Sequence, residues 1–284
     1  MIPKAVQTWC RDNGFGEVVS EKQVGGGCIN NGAQLLTSSG KTFFLKTNSR
    51  APEGMFAREA EGLDGLRVDG APRVPNSYLY NHQFILLEDL APASRSPDYW
   101  SEFGRQLAVL HTKTSPRFGF EQDNFIGSTR QPNPWTADGF EFFGQYRLFF
   151  QSKLAQENGY FNKSEVQMVE KLASQLRQLI PEQPASIIHG DLWSGNALTD
   201  SHGNPALIDP AAHYGWAEAE LAMTALFGPF PASFYTAYEE TRPLRSGYRD
   251  RFPIYNLYHL LNHLNLFGEG YYGQVMSVVR RYAR

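Results

Sequence analysis

The segment HGDLWSGN at residues 189–196 is followed by LID at residues 207–209. An aspartate, an asparagine five positions later and a second aspartate form the pattern with which phosphoryl-transfer enzymes place a base and bind a metal ion. The transferred group carries its charge on oxygens, so the protein mainly positions the attacking hydroxyl and holds magnesium against the phosphates. We therefore predict that Asp191 orients the acceptor hydroxyl and accepts its proton, and that Asn196 and Asp209 are oxygen ligands of Mg²⁺.

Each of these motifs is ambiguous by itself. An HGD tripeptide is compatible with a turn that an aspartate caps, and an Ile-Asp-Pro tripeptide with the exit of an edge strand. The upstream half of the chain adds Lys46, near the end of a predicted strand, and Glu59, on the helix predicted after Pro52. A lysine on a strand usually lies on a solvated face. In kinases, however, a Lys/Glu ion pair that precedes the acidic motifs in the chain binds the α and β phosphates. The combination predicts an ATP site.

A glycine-rich loop joins the first two predicted strands, at residues 18–24 and 33–37. In kinases, backbone amides at this position cover the triphosphate. The residues predicted to do so here are Gly25, Gly26, Gly27 and Cys28. Asn30 stands where the pattern has its third glycine, so the loop is equally compatible with an ordinary hairpin turn.

The segment FILLEDL at residues 84–90 leads from the predicted sheet into the helical part of the chain. Backbone groups at such a crossing can pair with the edge of adenine, and apolar side chains can cover its ring. Glu88 and Leu90 are therefore predicted to contact the nucleotide. A buried strand that runs into a linker fits the same residues.

The order of predicted elements indicates an α+β fold with two lobes, like that of protein kinases. Strands and one helix make up an N-terminal nucleotide-binding lobe, residues 1–90. Helical periodicity dominates the catalytic and substrate-binding lobe, residues 91–284, with helices predicted at 99–111, 140–156 and 164–180, the last capped by Ser164. The Gly/Pro/Asn/Trp-rich segment 115–139 is predicted to be irregular and functional.

Composition excludes several classes of function. The net charge of −3 offers no basic surplus for nucleic acid or an anionic membrane, and two cysteines cannot form a disulfide framework. The N-terminal segment lacks the apolar run of a signal peptide, and no run approaches the roughly 18 apolar residues of a membrane helix. We expect a cytoplasmic protein that binds neither nucleic acid nor membrane.

The sequence resembles the fructosamine kinase (ketosamine kinase) family, within the group that includes aminoglycoside phosphotransferases and choline kinases. HGDLWSGN, with Trp193, is similar to this family's own form of the loop. The further tracts that agree are GGGCIN at 25–30, FFLKTN at 43–48, NFIGSTRQPNPW at 124–135 and LIDPAAHYGWAEAELAMTALFG at 207–228. Glu220 departs from the aspartate that the family more often has, and Ala225 from a common glutamate.

The resemblance implies Mg²⁺- and ATP-dependent phosphorylation of the 3-hydroxyl of a ketosamine, free or on a protein lysine, and a role in deglycation. Trp193, His213 and Tyr214 are the candidate substrate residues, since aromatic faces and polar groups suit a cationic sugar amine. Trp193 is also compatible with bracing its loop, and His213 with a structural histidine. The preferred sugar and carrier amine stay open.

Two other functions are compatible with parts of the pattern. One is phosphorylation of a different amino alcohol, such as an aminoglycoside or choline. The other is a catalytically silent ATP-binding module, although the complete set of lysine, base and metal ligands argues against it. The state of association is either a monomer or a redox-linked dimer through Cys28, whose thiol in a phosphate loop is a candidate for oxidation. Cys28 as a small buried hydrophobe is the alternative.

Overall fold

The N-terminal part of the chain contains a five-stranded antiparallel sheet. It was described in a computed structural model that covers residues 2–25 and 30–283. The strands of this sheet are β1 (Val18–Val24), β2 (Asn31–Thr37), β3 (Thr42–Thr47), β4 (Ser77–Tyr80) and β5 (Phe84–Glu88). Their spatial order is β1-β2-β3-β5-β4, so β3 lies at the centre with Lys46 opposite Ile85 of β5.

Alternation along the strands divides the sheet into two faces. Phe43 and Leu45 of β3 pack with helix α1 (Lys4–Asp12) in one apolar cluster. Ile85 and Leu87 of β5 point to the other face and pack with helix α2 (Met55–Gly65). Because successive side chains on a strand point to opposite faces, Lys46 lies on the same side of the sheet as α2. The pattern of the strand thus directs a lysine toward the helix that carries Glu59.

The rest of the chain is mainly helical. Its helices are α3 (Tyr99–Leu110), α4 (Gly139–Phe143), α5 (Phe150–Glu157), α6 (Lys163–Ser174), α7 (Leu176–Leu179), α8 (Ala217–Met223), α9 (Ala232–Thr241), α10 (Tyr248–Phe267) and α11 (Tyr272–Tyr282). A π-helical segment, Gly144–Phe149, joins α4 to α5, and a 3₁₀ turn, Glu269–Tyr271, precedes α11. No helix among the described residues is long and apolar enough to cross a membrane.

Short strands present the loops that carry the motifs. These strands are β6 (Thr114–Ser115), β7 (Asn124–Ile126), β8 (Thr129–Gln131), β9 (Ala185–Ile188), β10 (Ala197–Thr199), β11 (Pro205–Leu207) and β12 (His213–Gly215). The HGDLWSGN loop runs from β9 to β10, and Asp209 follows the β10–β11 hairpin. Arg73, from the N-terminal part, bridges to Ala206 of β11 and so ties that part to the hairpin.

Three local predictions need correction. The helix predicted at 140–156 is interrupted by the π-helical segment, and the segment predicted to be irregular contains the β7–β8 hairpin. Ser164 is not the cap of α6. Asn162 is the cap, because its side chain accepts the N–H of Glu165 while the Glu165 carboxylate accepts the N–H of Asn162, a capping box.

Candidate active site

Lys46 and Glu59 form a buried ion pair beneath the sheet. The Lys46 Nζ atom lies 2.5 Å from Glu59 Oε1, and less than a tenth of either side chain is exposed. Lys46 also contacts the Asp209 carboxylate, which belongs to the loop after β11. Burial lowers the pKa of Lys46, but the Asp209 and Glu59 carboxylates outweigh burial and raise it, so the ammonium stays charged. One cation therefore joins the N-terminal part to the predicted metal ligand.

Asp191 lies in the loop that follows β9, beside Asn196. The Asn196 Nδ2 atom donates to the Asp191 backbone carbonyl at 2.8 Å and approaches its carboxylate at 3.3 Å. Burial, and then the charge of Asp209, raise the pKa of Asp191 to about 7. A carboxylate with a pKa near neutrality is suited to accept a proton at physiological pH.

Asn196 and Asp209 fit the requirements of a magnesium ion. The side-chain nitrogen of Asn196 donates to Asp191, so the side-chain oxygen of Asn196 is the atom available to bind a metal ion. Asp209 adopts a left-handed backbone with φ of 56°, a conformation that costs energy for a residue other than glycine and often occurs at functional sites. The described residues contain no cluster of three or more His, Cys, Asp or Glu side chains that would hold a metal by themselves. Magnesium here would need phosphate and water as its remaining ligands, which is its usual mode of binding.

Glu220, on α8, fixes the backbone at the start of the HGDLWSGN loop. Its carboxylate accepts the backbone N–H groups of His189 at 2.7 Å and Gly190 at 2.9 Å, and contacts His111 Nε2 at 3.2 Å. Burial opposes the charge, but His111 and the other donors lower the pKa of Glu220 overall. Sequence reasoning noted this glutamate only as a departure from the family and missed its role.

His189 links the loop to the strand that precedes Asp209. Its Nε2 atom lies 2.7 Å from the Ile208 carbonyl, while Nδ1 accepts the N–H of Asp191 at 3.3 Å. These two bonds assign the ring proton to Nε2, and burial lowers the pKa of His189 so that it stays neutral. Gly190 has φ of 82°, and a Cβ atom there would lie 2.2 Å from the Ala211 carbonyl oxygen. The loop therefore requires glycine at this position.

The predicted nucleotide contacts lie only partly within the described chain. Gly26, Gly27 and Cys28 fall outside the described residues. A Cβ atom on Gly25, at the end of β1, would meet nothing within 4 Å. Leu90 is buried. The Glu88 carboxylate pairs with Arg73, and the backbone N–H of Glu88 donates to the Asn76 carbonyl. These two contacts of Glu88 stabilise the segment that leads from β5 into the helical part of the chain.

Trp193 lies in the HGDLWSGN loop between β9 and β10. Its ring covers Gly195 so closely that a Cβ atom on Gly195 would lie 2.4 Å from it. The edge of the ring faces Phe227, with 6.5 Å between ring centres. Trp193 is half-buried, so one ring both packs on its own loop and remains accessible.

His213 and Tyr214 point to opposite faces of β12. His213 is buried and lines a cavity with Gly190 and Tyr258, and its Nδ1 atom lies 2.9 Å from the Ala211 carbonyl. The Tyr214 ring lies 5.9 Å from that of Trp135, on the other side of the strand. The structure thus gathers Lys46, Glu59, Asp191, Asn196 and Asp209 into one site, with Trp193 beside it, and separates the two residues of β12.

Relatives of known name cover nearly the whole chain. A probable ketoamine kinase of Synechocystis sp. is 40% identical over 275 residues, which are 94% of this chain and 91% of that protein. A chloroplastic protein-ribulosamine 3-kinase of Arabidopsis thaliana is 38% identical and covers 100% of this chain and 89% of its own length.

Solved structures agree with these relatives. A crystal structure assigned to fructosamine-3-kinase of Thermobifida fusca superposes with a TM-score of 0.88 at 32% identity, covering 98% of both chains. The choline kinase LicA of Streptococcus pneumoniae has a TM-score of 0.63 at 17% identity over 98% of this chain and 99% of its own, and shares the fold alone. The family model described as fructosamine kinase matches residues 1–284. The chain therefore belongs to the fructosamine kinase family, with the α+β kinase-like fold that its sequence predicts.

Proposed function

We propose that this protein transfers the γ-phosphoryl group of ATP to the 3-hydroxyl of ketosamines, the adducts formed when an amine condenses with a sugar and rearranges. The observation that carries the proposal is the convergence of the Lys46–Glu59 pair on Asp209, next to Asp191 and Asn196. The names of the relatives, ketoamine kinase and ribulosamine 3-kinase, support the substrate class.

Each residue of this group has a distinct task in the proposed reaction. Asp191 accepts the proton of the acceptor hydroxyl, while the oxygen of that hydroxyl forms a bond to the γ-phosphorus. The bond from that phosphorus to the β–γ bridging oxygen breaks, and ADP leaves. Lys46, oriented by Glu59, donates to the α and β phosphates. Mg²⁺, bound by Asn196 and Asp209, would neutralise charge on the phosphate oxygens.

The environment supports this assignment of roles. Asp191, with a pKa near neutrality, is deprotonated often enough to act as a base and is basic enough to accept a proton. Glu220 fixes the backbone on the N-terminal side of Asp191 and Asn196 fixes its carbonyl, so the carboxylate is positioned before substrate binds. Trp193 provides an aromatic face beside this base for the sugar amine.

The cellular role follows from the product. A phosphate on O3 makes the adduct labile, so the reaction would serve the removal of sugars from amines, as the family resemblance implies. We propose a cytoplasmic setting, as the sequence predicts. His213 and Tyr214 remain proposed substrate residues, although only one face of β12 is turned toward Gly190.

The direct test is identification of the product. Purified protein, ATP and Mg²⁺ are incubated with fructose-lysine, and the product is analysed by mass spectrometry and NMR. One added phosphate on O3 is expected. A matched adduct without the 3-hydroxyl should yield no product. Phosphate at another oxygen, or phosphorylation of the 3-deoxy adduct, would contradict the proposal.

A further inference from the structure

A row of aromatic rings extends from the catalytic loop across the C-terminal surface. We call it the aromatic ledge, and its members are Trp193, Phe227, His263, Phe267 and Tyr271. The ring centre of Phe227 lies 6.5 Å from that of Trp193 and 4.6 Å from that of His263. His263 lies 5.3 Å from Phe267 and 5.1 Å from Tyr271. Each ring contacts the next, so the ledge is continuous.

Two phenylalanine rings of the ledge are unusually exposed for this chain. Phe227 is 37% exposed and Phe267 is 52% exposed. Within the described residues, the other exposed large apolar side chains are Val19, Val24, Leu36 and Tyr80, all on the N-terminal sheet. In the helical part that follows, the two exposed phenylalanines are joined through one histidine. Contiguous apolar surface of this kind indicates an interaction site, whereas scattered residues do not.

The exposed rings of the ledge present apolar faces. Burial lowers the pKa of His263, so that ring is neutral at physiological pH. The charged residue next to the ledge in sequence is Glu269, which is exposed and begins the 3₁₀ turn that ends at Tyr271. Aromatic faces with these spacings suit aliphatic or aromatic side chains.

We propose that the aromatic ledge binds the polypeptide that carries a protein-linked ketosamine, through apolar residues that flank the modified lysine. This inference rests on the proposed function, because O3 of the sugar must lie at Asp191. The carrier amine then leads away from the base, and the ledge begins at Trp193, two positions further along the same loop. Successive ring centres of the ledge are 4.6 to 6.5 Å apart. Side chains on one face of an extended peptide repeat at about 7 Å, so more than one of them can lie along the ledge. A free adduct would end near Trp193 and leave the outer rings uncovered.

The test compares substrates that differ only around the modified lysine. One glycated peptide has leucine and phenylalanine beside the lysine, a second of equal length has glycine and serine, and the third substrate is fructose-lysine. Ledge variants are Phe267→Ser and Phe227→Ser. Tyr80→Ser is the matched control, because Tyr80 is 47% exposed on β4 of the N-terminal sheet.

The wild-type protein should prefer the apolar peptide over the glycine–serine peptide by about tenfold in kcat/KM, mainly through KM. Either ledge variant should remove most of this preference, and Tyr80→Ser should retain it. Two results would overturn the inference: equal use of both peptides by the wild type, or an equal loss on fructose-lysine and the apolar peptide in the ledge variants.

Light scattering during size-exclusion chromatography covers the alternative occupant, a second copy of this chain. A dimer that Phe267→Ser dissociates, without any change in peptide preference, would assign the ledge to self-association and contradict a carrier site. If the wild type phosphorylates no ketosamine at all, the proposed function is wrong and the inference falls with it. If the wild type is active but shows no preference between the two peptides, only the inference is wrong.

Discussion

The Glu220 carboxylate on α8 accepts the backbone N–H of His189, 31 residues earlier in the chain, at 2.7 Å. The same carboxylate accepts the next N–H, that of Gly190, so two consecutive amides ahead of Asp191 have one acceptor. Glu220 and His189 are both buried, and a buried amide without an acceptor costs about 1 to 3 kcal/mol. The position of the proposed base therefore depends on a side chain that does not touch the reacting atoms.

Replacement of Glu220 should impair turnover more than nucleotide binding. In Glu220→Ala, both amides lose their acceptor, and we expect kcat to fall by roughly 100-fold while KM for ATP changes little. Glu220→Asp keeps the charge and should recover part of kcat, since its shorter side chain reaches the amides less well. Steady-state kinetics of both variants measure this, and an unchanged kcat in Glu220→Ala would exclude the positioning role.

Asp191→Asn should reduce turnover by at least about 100-fold and preserve ATP binding. The amide cannot accept the acceptor proton, and loss of a general base typically lowers kcat by about 10² to 10⁴-fold. The affinity for ATP, measured by calorimetry, should stay within about twofold of the wild type. Full activity in Asp191→Asn would assign the base to another residue.

Gly195→Ala should weaken use of the acceptor through Trp193. The added Cβ atom would lie 2.4 Å from the indole, so the ring must leave its position. We expect a higher KM for the ketosamine with an unchanged KM for ATP. Gly273→Ala is the control, because a Cβ atom on Gly273 meets nothing within 4 Å. An unchanged KM for the ketosamine in Gly195→Ala would show that the orientation of Trp193 does not matter for the acceptor.

Gly104 permits the close approach of α3 and α9. A Cβ atom there would lie 2.1 Å from the Phe234 carbonyl oxygen and 3.0 Å from the Tyr238 amide nitrogen, and neither backbone atom can move freely. Gly104→Ala should therefore lower the free energy of unfolding by about 2 to 3 kcal/mol. The exposed helical Gly273→Ala should instead be neutral or stabilising by up to about 1 kcal/mol. Urea unfolding compares the two, and equal stabilities would refute the close-packing argument.

Stability should fall on acidification because buried histidines resist protonation. Burial, followed by the charges of His263 and Arg147, lowers the pKa of His259 to about 3. An unfolded histidine has a pKa of about 6.5, so below that pH the unfolded chain binds a proton that the native state does not. His259 alone should lower the free energy of unfolding by roughly 2 kcal/mol between pH 7 and pH 5.

His259→Gln tests directly how much His259 contributes to the loss of stability at low pH. Urea unfolding at pH 7 and pH 5 should show a smaller loss of stability in the variant than in the wild type. A residual loss is expected because burial also lowers the pKa values of His111, His189 and His213. An identical loss in the two proteins would mean that His259 is protonated in the native state.

Local patterns were sufficient for most of the N-terminal sheet and for the Lys46–Glu59 pair. Alternation along β3 orients Lys46, and the turn after residue 48 returns α2 to that face. Alternation along β12 also contained the information that His213 and Tyr214 diverge. The Asn162–Glu165 capping box is likewise an explicit local signal, N-x-x-E, that the choice of Ser164 overlooked.

Other features depend on contacts between distant segments. The bond from Glu220 to His189 requires α8 to pack under β9, and neither residue's neighbours in sequence encode that packing. The aromatic ledge joins the β9–β10 loop, the loop after α8, the end of α10 and a 3₁₀ turn, which come together only in the folded chain. The redox role proposed for Cys28 and the state of association stay predictions.

The central claim is tested most directly by ADP release with ATP and Mg²⁺ against fructose-lysine, ribulose-lysine, an aminoglycoside, choline and no acceptor. We predict turnover on the two ketosamines alone, and a fall of at least about 100-fold in that turnover in Asp191→Asn. Turnover only on the aminoglycoside or choline would contradict the substrate class, and ATP binding without turnover on any acceptor would contradict the proposed kinase activity.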